Sequence, residues 1–162
     1  MTKLDRAGLS EVPQMMAALA VDDVEQASDF YEELGFGQEM TISGPDGRLA
    51  FALLVSGSAA LLLGPLGEPH YVNEPRAEKI RKGTRGLGVT LILHVPDLQK
   101  VYDAVREARI EILLEPVDEF YGERVFMFLD PHGYEWKISQ TIESVSREEV
   151  SERVASAGYT VT

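Results

Sequence analysis

Apolar positions along this chain switch between two periods, and the switch happens twice. In LAVDDVEQASDFYEELGF (Leu19 to Phe36), a short apolar strand over Met15–Val21 runs into a helix whose apolar residues Val24, Ala27, Phe30, Tyr31 and Leu34 share one stripe. LHVPDLQKVYDAVREARI (Leu93 to Ile110) repeats that pattern at an offset of 74 residues. Here the strand is Val89–Val95 and the stripe is Leu98, Val101, Ala104, Val105 and Ala108. Leu19, Val21, Asp23 and Asp29 recur as Leu93, Val95, Asp97 and Asp103. Asp23 and Asp97 stand where an N-cap belongs, because a carboxylate there accepts from the exposed N–H groups of the first turn.

The segments after each helix also correspond. Arg48–Val55 and Ala59–Leu63 flank the turn Ser56-Gly57-Ser58, and Arg124–Leu129 and Tyr134–Ser139 flank Asp130-Pro131-His132-Gly133. Gln38–Ser43 and Glu111–Glu115 supply one further strand each. Each half therefore reads β-α-β-β-β, which predicts an α+β protein of two tandem βαβββ modules over 15–66 and 88–141. Residues 1–14 form an N-terminal extension, 67–87 a linker and 142–162 a C-terminal helix and tail. The linker carries a basic group, Lys79, Arg81, Lys82 and Arg85, read first as a solvated connection with a short helix and second as an anion-attracting flap. Ser146 with Glu149 makes a capping box that opens the C-terminal helix, whose narrow apolar edge is Val150 and Val154.

Alternation sorts each strand into two faces. Val89, Leu91, Leu93 and Val95 should lie under the helix, as should Ala17, Leu19 and Val21, Phe126 and Phe128, and Trp136 and Ile138. The other faces then carry Thr90, Ile92 and His94; Met16, Ala18 and Ala20; Val125 and Met127; and Glu135, Lys137 and Ser139. That mixture of small, aliphatic and ionisable residues suits the lining of a ligand cavity.

Composition narrows the partners. The chain has 162 residues, a net charge of −12 and no cysteine. A polyanion such as nucleic acid would be repelled, and disulfide, zinc-thiolate and thiol chemistry are excluded. No run is long enough to span a membrane, and the N-terminus lacks the basic flank of a signal peptide, so a cytoplasmic protein is expected.

With paired β-α-β-β-β modules, LAVDDVEQASDFYEELGF opening the first and YGERVFMFLDPHGYEWKISQ closing the second, the chain resembles the vicinal-oxygen-chelate superfamily over about residues 15–140. That group includes glyoxalase I, extradiol dioxygenases, fosfomycin-modifying thiol transferases and bleomycin-resistance binding proteins. The resemblance implies curved mixed sheets around a cleft, within one chain or across a homodimer. Metal-dependent members hold a divalent ion with residues of the first and last strands of the modules. Those positions carry over to Met16 and Thr90 on the first strands, and to Leu61 and Lys137 on the last. A thioether, a hydroxyl, an alkyl chain and an ammonium are poor ligands, so no metal and no other cofactor are expected.

Of the three histidines, His70 falls in the linker, His132 in a turn and His94 on the cleft face. His94 reads first as a strand histidine bonded to a neighbour; with Glu135, and with Glu119 added, it forms the alternative displaced metal site. Lys137 reads as an ion pair with Glu135, and Arg124 as a partner for an acid such as Asp130. Tyr121, before Gly122, reads equally as a loop aromatic or as a ligand-stacking ring. The expectation is a metal-independent protein binding a small, partly apolar or aromatic molecule, in the manner of bleomycin-resistance proteins. Its contacts would be Met16, Ala18, Thr90, Ile92, His94, Tyr121, Val125, Met127, Glu135 and Lys137. The alternative is a divalent-metal lyase or dioxygenase of the glyoxalase type, with Glu135 or His94 as its base.

Overall fold

In each half, the first strand pairs in parallel with the last, and that pairing organises everything around it. The computed structural model describes residues 15–66 and 73–155, and the chain divides into two compact units, Met1–Gly83 and Thr84–Thr162. The extension over 1–14, His70 and the tail beyond 155 lie outside the described residues.

The first unit runs β1 (Ala17–Val21), α1 (Val24–Glu33), β2 (Gly37–Ser43), β3 (Leu49–Ser56), β4 (Ala59–Pro65) and α2 (Glu74–Lys82). Its sheet has the order β1-β4-β3-β2, with β1 parallel to β4 and the other pairs antiparallel. Helix α1 packs on β3 and β4, burying Val24, Ala27, Tyr31 and Leu34 over Leu19, Val21, Ala52, Leu54 and Leu63. The second unit runs β5 (Thr90–His94), α3 (Leu98–Glu107), β6 (Glu111–Asp118), β7 (Glu123–Leu129), β8 (Glu135–Thr141) and α4 (Arg147–Ala155), with the order β5-β8-β7-β6. Helix α3 lies on β7 and β8. Its core is aromatic: Tyr102 meets Phe126 edge-on at 5.3 Å, and Phe128 stacks near Phe126 and Trp136 at 5.8 and 6.5 Å. Two βαβββ modules are thus what the chain builds, as the doubled pattern predicts.

Local chemistry explains the element boundaries. Asp23 accepts from the N–H groups of Glu25 and Gln26 at 2.9 and 3.0 Å, and Asp97 from that of Lys100 at 3.2 Å. Helix α1 ends at Gly35, whose φ of 95° is left-handed; Phe36 N–H then reaches back to the Tyr31 carbonyl at 3.1 Å. Helix α3 closes in the same way, with Ile110 N–H on the Val105 carbonyl at 3.1 Å, but Arg109 occupies the left-handed position at φ 57°. The repeat is therefore exact in geometry where it is not in residue type.

Two elements differ from the expectation. Strand β6 runs past Glu115 to Asp118, through Pro116, which an edge strand tolerates because its outer N–H row needs no partner. Val89 is exposed and precedes β5 instead of packing under a helix. In the linker, α2 is the expected short helix, capped by Asn73. Most of its basic group is engaged within the structure: Arg81 pairs with Glu74, Lys82 with Glu78 at 2.6 Å, and Arg85 donates to the His132 carbonyl.

The β7–β8 turn hangs on Asp130, 3% exposed. One carboxylate oxygen accepts from the N–H groups of His132 and Tyr134 at 2.9 and 2.8 Å, and the other from Trp136 Nε1 at 2.9 Å. Asp130→Ala would leave a buried indole N–H and two turn N–H groups without their acceptor. It should cost roughly 2–3 kcal/mol in a urea unfolding curve. Arg109→Gly, by contrast, removes a left-handed strain of about 1 kcal/mol and should raise the unfolding midpoint in the same assay.

Candidate functional site

Each sheet leaves one face opposite its helix, and in the second unit that face carries the ionisable chemistry. The register across the parallel pair sets Thr90 beside Glu135, Ile92 beside Lys137 and His94 beside Ser139. Across the antiparallel pair, Leu129, Met127 and Val125 stand beside the same three β8 residues. Three rows result. In the first, the Thr90 hydroxyl donates to Glu135. In the second, Lys137 sits between apolar neighbours, Ile92 and Met127. In the third, Ser139 is fully buried and donates to Glu123, whose other oxygen is 3.7 Å from His94 Nδ1.

Lys137 is half-buried on the central strand, and its ammonium donates to the Tyr121 hydroxyl at 2.7 Å. The nitrogen is 5.3 Å from the ring centroid. Those two distances put it beyond the rim, along the C–O axis, so the contact is a hydrogen bond and not an attraction to the ring face. Among the described residues no carboxylate lies within ion-pair distance of Lys137. The expected Lys137–Glu135 pair does not form, because Glu135 turns to Thr90.

Tyr121 is held in place from outside the module. Gly122 closes the β6–β7 turn at φ 87°, and a Cβ there would lie 2.4 Å from the Glu143 carbonyl oxygen. The N–H groups of Ile142 and Glu143 both donate to the Gly122 carbonyl, at 2.9 and 3.0 Å. Arg153 of α4 donates to the Phe120 carbonyl at 2.8 Å and to both oxygens of Glu143 at 3.1 and 2.9 Å. Helix α4 itself starts with the expected capping box: Ser146 N–H donates to Glu149 at 2.8 Å and Glu149 N–H to the Ser146 hydroxyl at 3.2 Å. The part played by Arg153 has no signal in the sequence, since a single basic residue on a polar helix carries no pattern.

The remaining expected residues fall as follows. Ile92 is exposed, Met127 half-buried and Val125 fully buried. His94 and Glu135 share the face but lie four residues apart along paired strands, roughly 13 Å. Among the described residues, the carboxylate within ion-pair distance of His94 is that of Glu123. Arg124 pairs with Asp118 at 2.5 and 2.9 Å and not with Asp130, which is committed to Trp136. That pairing holds the Asp118 carboxyl below its ordinary range. In the first unit the face opposite α1 is apolar, with Ala18, Leu62, Leu53 and Met40 in register across the sheet and Met16 exposed just ahead of β1.

The donors at the carried-over metal positions do not suit a divalent ion. Leu61 is buried on the α1 side; the residue that pairs with Ala18 and Leu53, as Lys137 pairs with Ile92 and Met127, is Leu62. Either leucine offers only an alkyl chain. With the Met16 thioether, a Thr90 hydroxyl spent on Glu135 and the Lys137 ammonium, the set lacks the oxygen and imidazole ligands such an ion needs. Among the described residues no three His, Asp or Glu side chains are grouped as metal ligands.

The model of the Glyoxalase/Bleomycin resistance protein/Dioxygenase superfamily matches residues 14–138. Among solved structures, TioX from Micromonospora sp. ML1 is similar at 22% identity and a TM-score of 0.62, over 78% of this chain and 97% of that one. A hypothetical protein from S. aureus is similar at 20% identity and a TM-score of 0.59, over 84% and 99%. A member of the same superfamily from Sphaerobacter thermophilus is similar at 25% identity and a TM-score of 0.56, over 77% and 94%. None of the curated proteins matches the chain in sequence.

Titration offers a check on the α4 anchor. The Arg153 bond holds the Glu143 carboxyl below its ordinary range, and the Ser146 backbone bond does the same for Glu149. Depressed carboxyls stabilise the folded arrangement above the unfolded-chain pKa, and that contribution disappears as pH falls through the lower folded value. Helix α4 should therefore undock in acid before the sheets unfold, seen as amide exchange rising over 147–155 while 123–141 stays protected.

Proposed function

The chain belongs to the glyoxalase/bleomycin resistance protein/dioxygenase superfamily, and on that premise we propose that it binds a small, partly apolar or aromatic molecule without a metal. The observation that carries this reading is the chemistry at the metal positions. An ammonium hydrogen-bonded to a phenol on the second sheet and an alkyl chain on the first stand where a chelating set is required. Each sheet, taken by itself, has a face opposite its helix with side chains that a ligand of this kind uses. One is apolar with small residues and methionines, which adapt to irregular shapes; the other pairs apolar side chains with a few directed polar groups.

The reading also fits the chain's exclusions. A net charge of −12 disfavours a nucleic-acid partner, and no helix among the described residues is long and apolar enough to cross a membrane. Fold membership alone leaves the chemistry open, because the same modules carry binding proteins, lyases and dioxygenases.

The test is a thermal-shift and calorimetric screen of planar aromatic compounds, run with and without a chelator. A ligand at about a hundred times its Kd should raise the melting temperature by roughly 5–10 °C, with or without chelator. A stoichiometric divalent ion in purified protein, or binding abolished by chelation, would replace this reading with the metal-dependent lyase or dioxygenase.

A further inference from the structure

We infer that the face of the second sheet opposite α3 carries an oxyanion site, in which Lys137 and Tyr121 together bind the carboxylate of a small aromatic monoanion. The inference rests on the binding reading above and narrows it to one ligand class.

The first ground is the state of the Lys137 ammonium. It is half-buried on a central strand, its hydrogen-bond partner is a neutral phenol, and no carboxylate of the described residues lies within ion-pair distance. An ammonium has three donors, and the bond to Tyr121 uses one. Because the Tyr121 oxygen accepts that bond, its own hydrogen is left to donate elsewhere. The pair therefore offers two N–H donors and one O–H donor at a single place, backed by a positive charge. That is a recognition site for an oxygen anion and not for a cation. A partly buried cation held only by a neutral acceptor is costly, and a bound anion removes that cost.

The second ground is what surrounds the pair. Ile92 and Met127 stand on either side of Lys137 in strict register, and Leu114 lies opposite Met127 on β6. The body of the ligand must therefore be apolar. Glu135 and Glu123 flank this row on the same face, each receiving a hydroxyl hydrogen, from Thr90 and Ser139. Two negative neighbours disfavour a multiply charged group such as a phosphate more strongly than a single carboxylate.

The third ground is rigidity. The backbone on either side of Tyr121 is fixed by the Gly122 turn and by Arg153 on the Phe120 carbonyl, and its hydroxyl is held by the Lys137 ammonium.

The experiment titrates 2-naphthoate and its neutral isostere 2-naphthamide by calorimetry into wild type, Lys137→Met, Lys137→Arg and Tyr121→Phe. Wild type should bind the naphthoate about tenfold more tightly than the amide or better. Lys137→Met should lose that preference, Tyr121→Phe should weaken it, and Lys137→Arg should retain it. Inorganic phosphate should not compete. Equal binding of both probes by wild type, or an unchanged preference in Lys137→Met, overturns the inference and leaves the binding function standing. Binding of neither probe overturns the inference, and if every planar compound in the screen also fails, the binding function falls with it. Should Lys137→Met not fold, the Lys137 Cε resonance of the wild-type protein decides: it must move with naphthoate and stay still with naphthamide.

Discussion

The register of one parallel strand pair, β5 against β8, sets the chemistry of the second unit. It places Thr90, Ile92 and His94 opposite Glu135, Lys137 and Ser139, and so determines which polar group meets which. A shift of β5 by one residue would carry Thr90, Ile92 and His94 to the α3 side, into a largely apolar core. A shift by two would keep the face but bring His94 alongside Lys137 and separate Thr90 from Glu135. The register is locked from the opposite side, where Trp136 and Ile138 interlock with Leu91 and Leu93 and the Trp136 indole bonds Asp130. The buried aromatic core and the polar face opposite it are two consequences of one pairing.

The two sheets share a topology and diverge in chemistry. In the first, the positions matching Thr90, Ile92 and Lys137 are Met16, Ala18 and Leu62, and the face is apolar. In the second, hydroxyls, carboxylates, an imidazole and an ammonium lie among aliphatic side chains. A duplicated architecture thus carries one apolar face and one face with directed polar groups. Arg153 and Gly122 add a support that lies outside the repeat, because they belong to the segment joining the last strand to α4.

Much of the fold was legible because its signals are local. The caps at Asp23, Asp97 and Ser146 depend on residues two to four apart, and the helical stripes repeat within a turn. The left-handed close of α3 was harder to see, since Arg109 stands where its counterpart in α1 is Gly35. At the site, alternation puts Lys137, Glu135 and His94 on one face but does not fix their partners. Lys137 bonds Tyr121 instead of Glu135, His94 faces Glu123 across 3.7 Å, and Arg124 pairs with Asp118.

The sequence by itself determined the doubled βαβββ plan, the helix starts and most of the buried stripe of each helix, although in α3 Tyr102 is buried and Ala108 exposed. Those are matters of period and residue type, which nearest neighbours along the chain already decide. Tertiary structure alone decided the partners. A period of two fixes the face a side chain occupies, while every shift by two residues preserves that face and changes the neighbour. Only the assembled sheet, with its bulges in β6 and its turn pinned at Gly122, could bring the Tyr121 hydroxyl to the Lys137 ammonium.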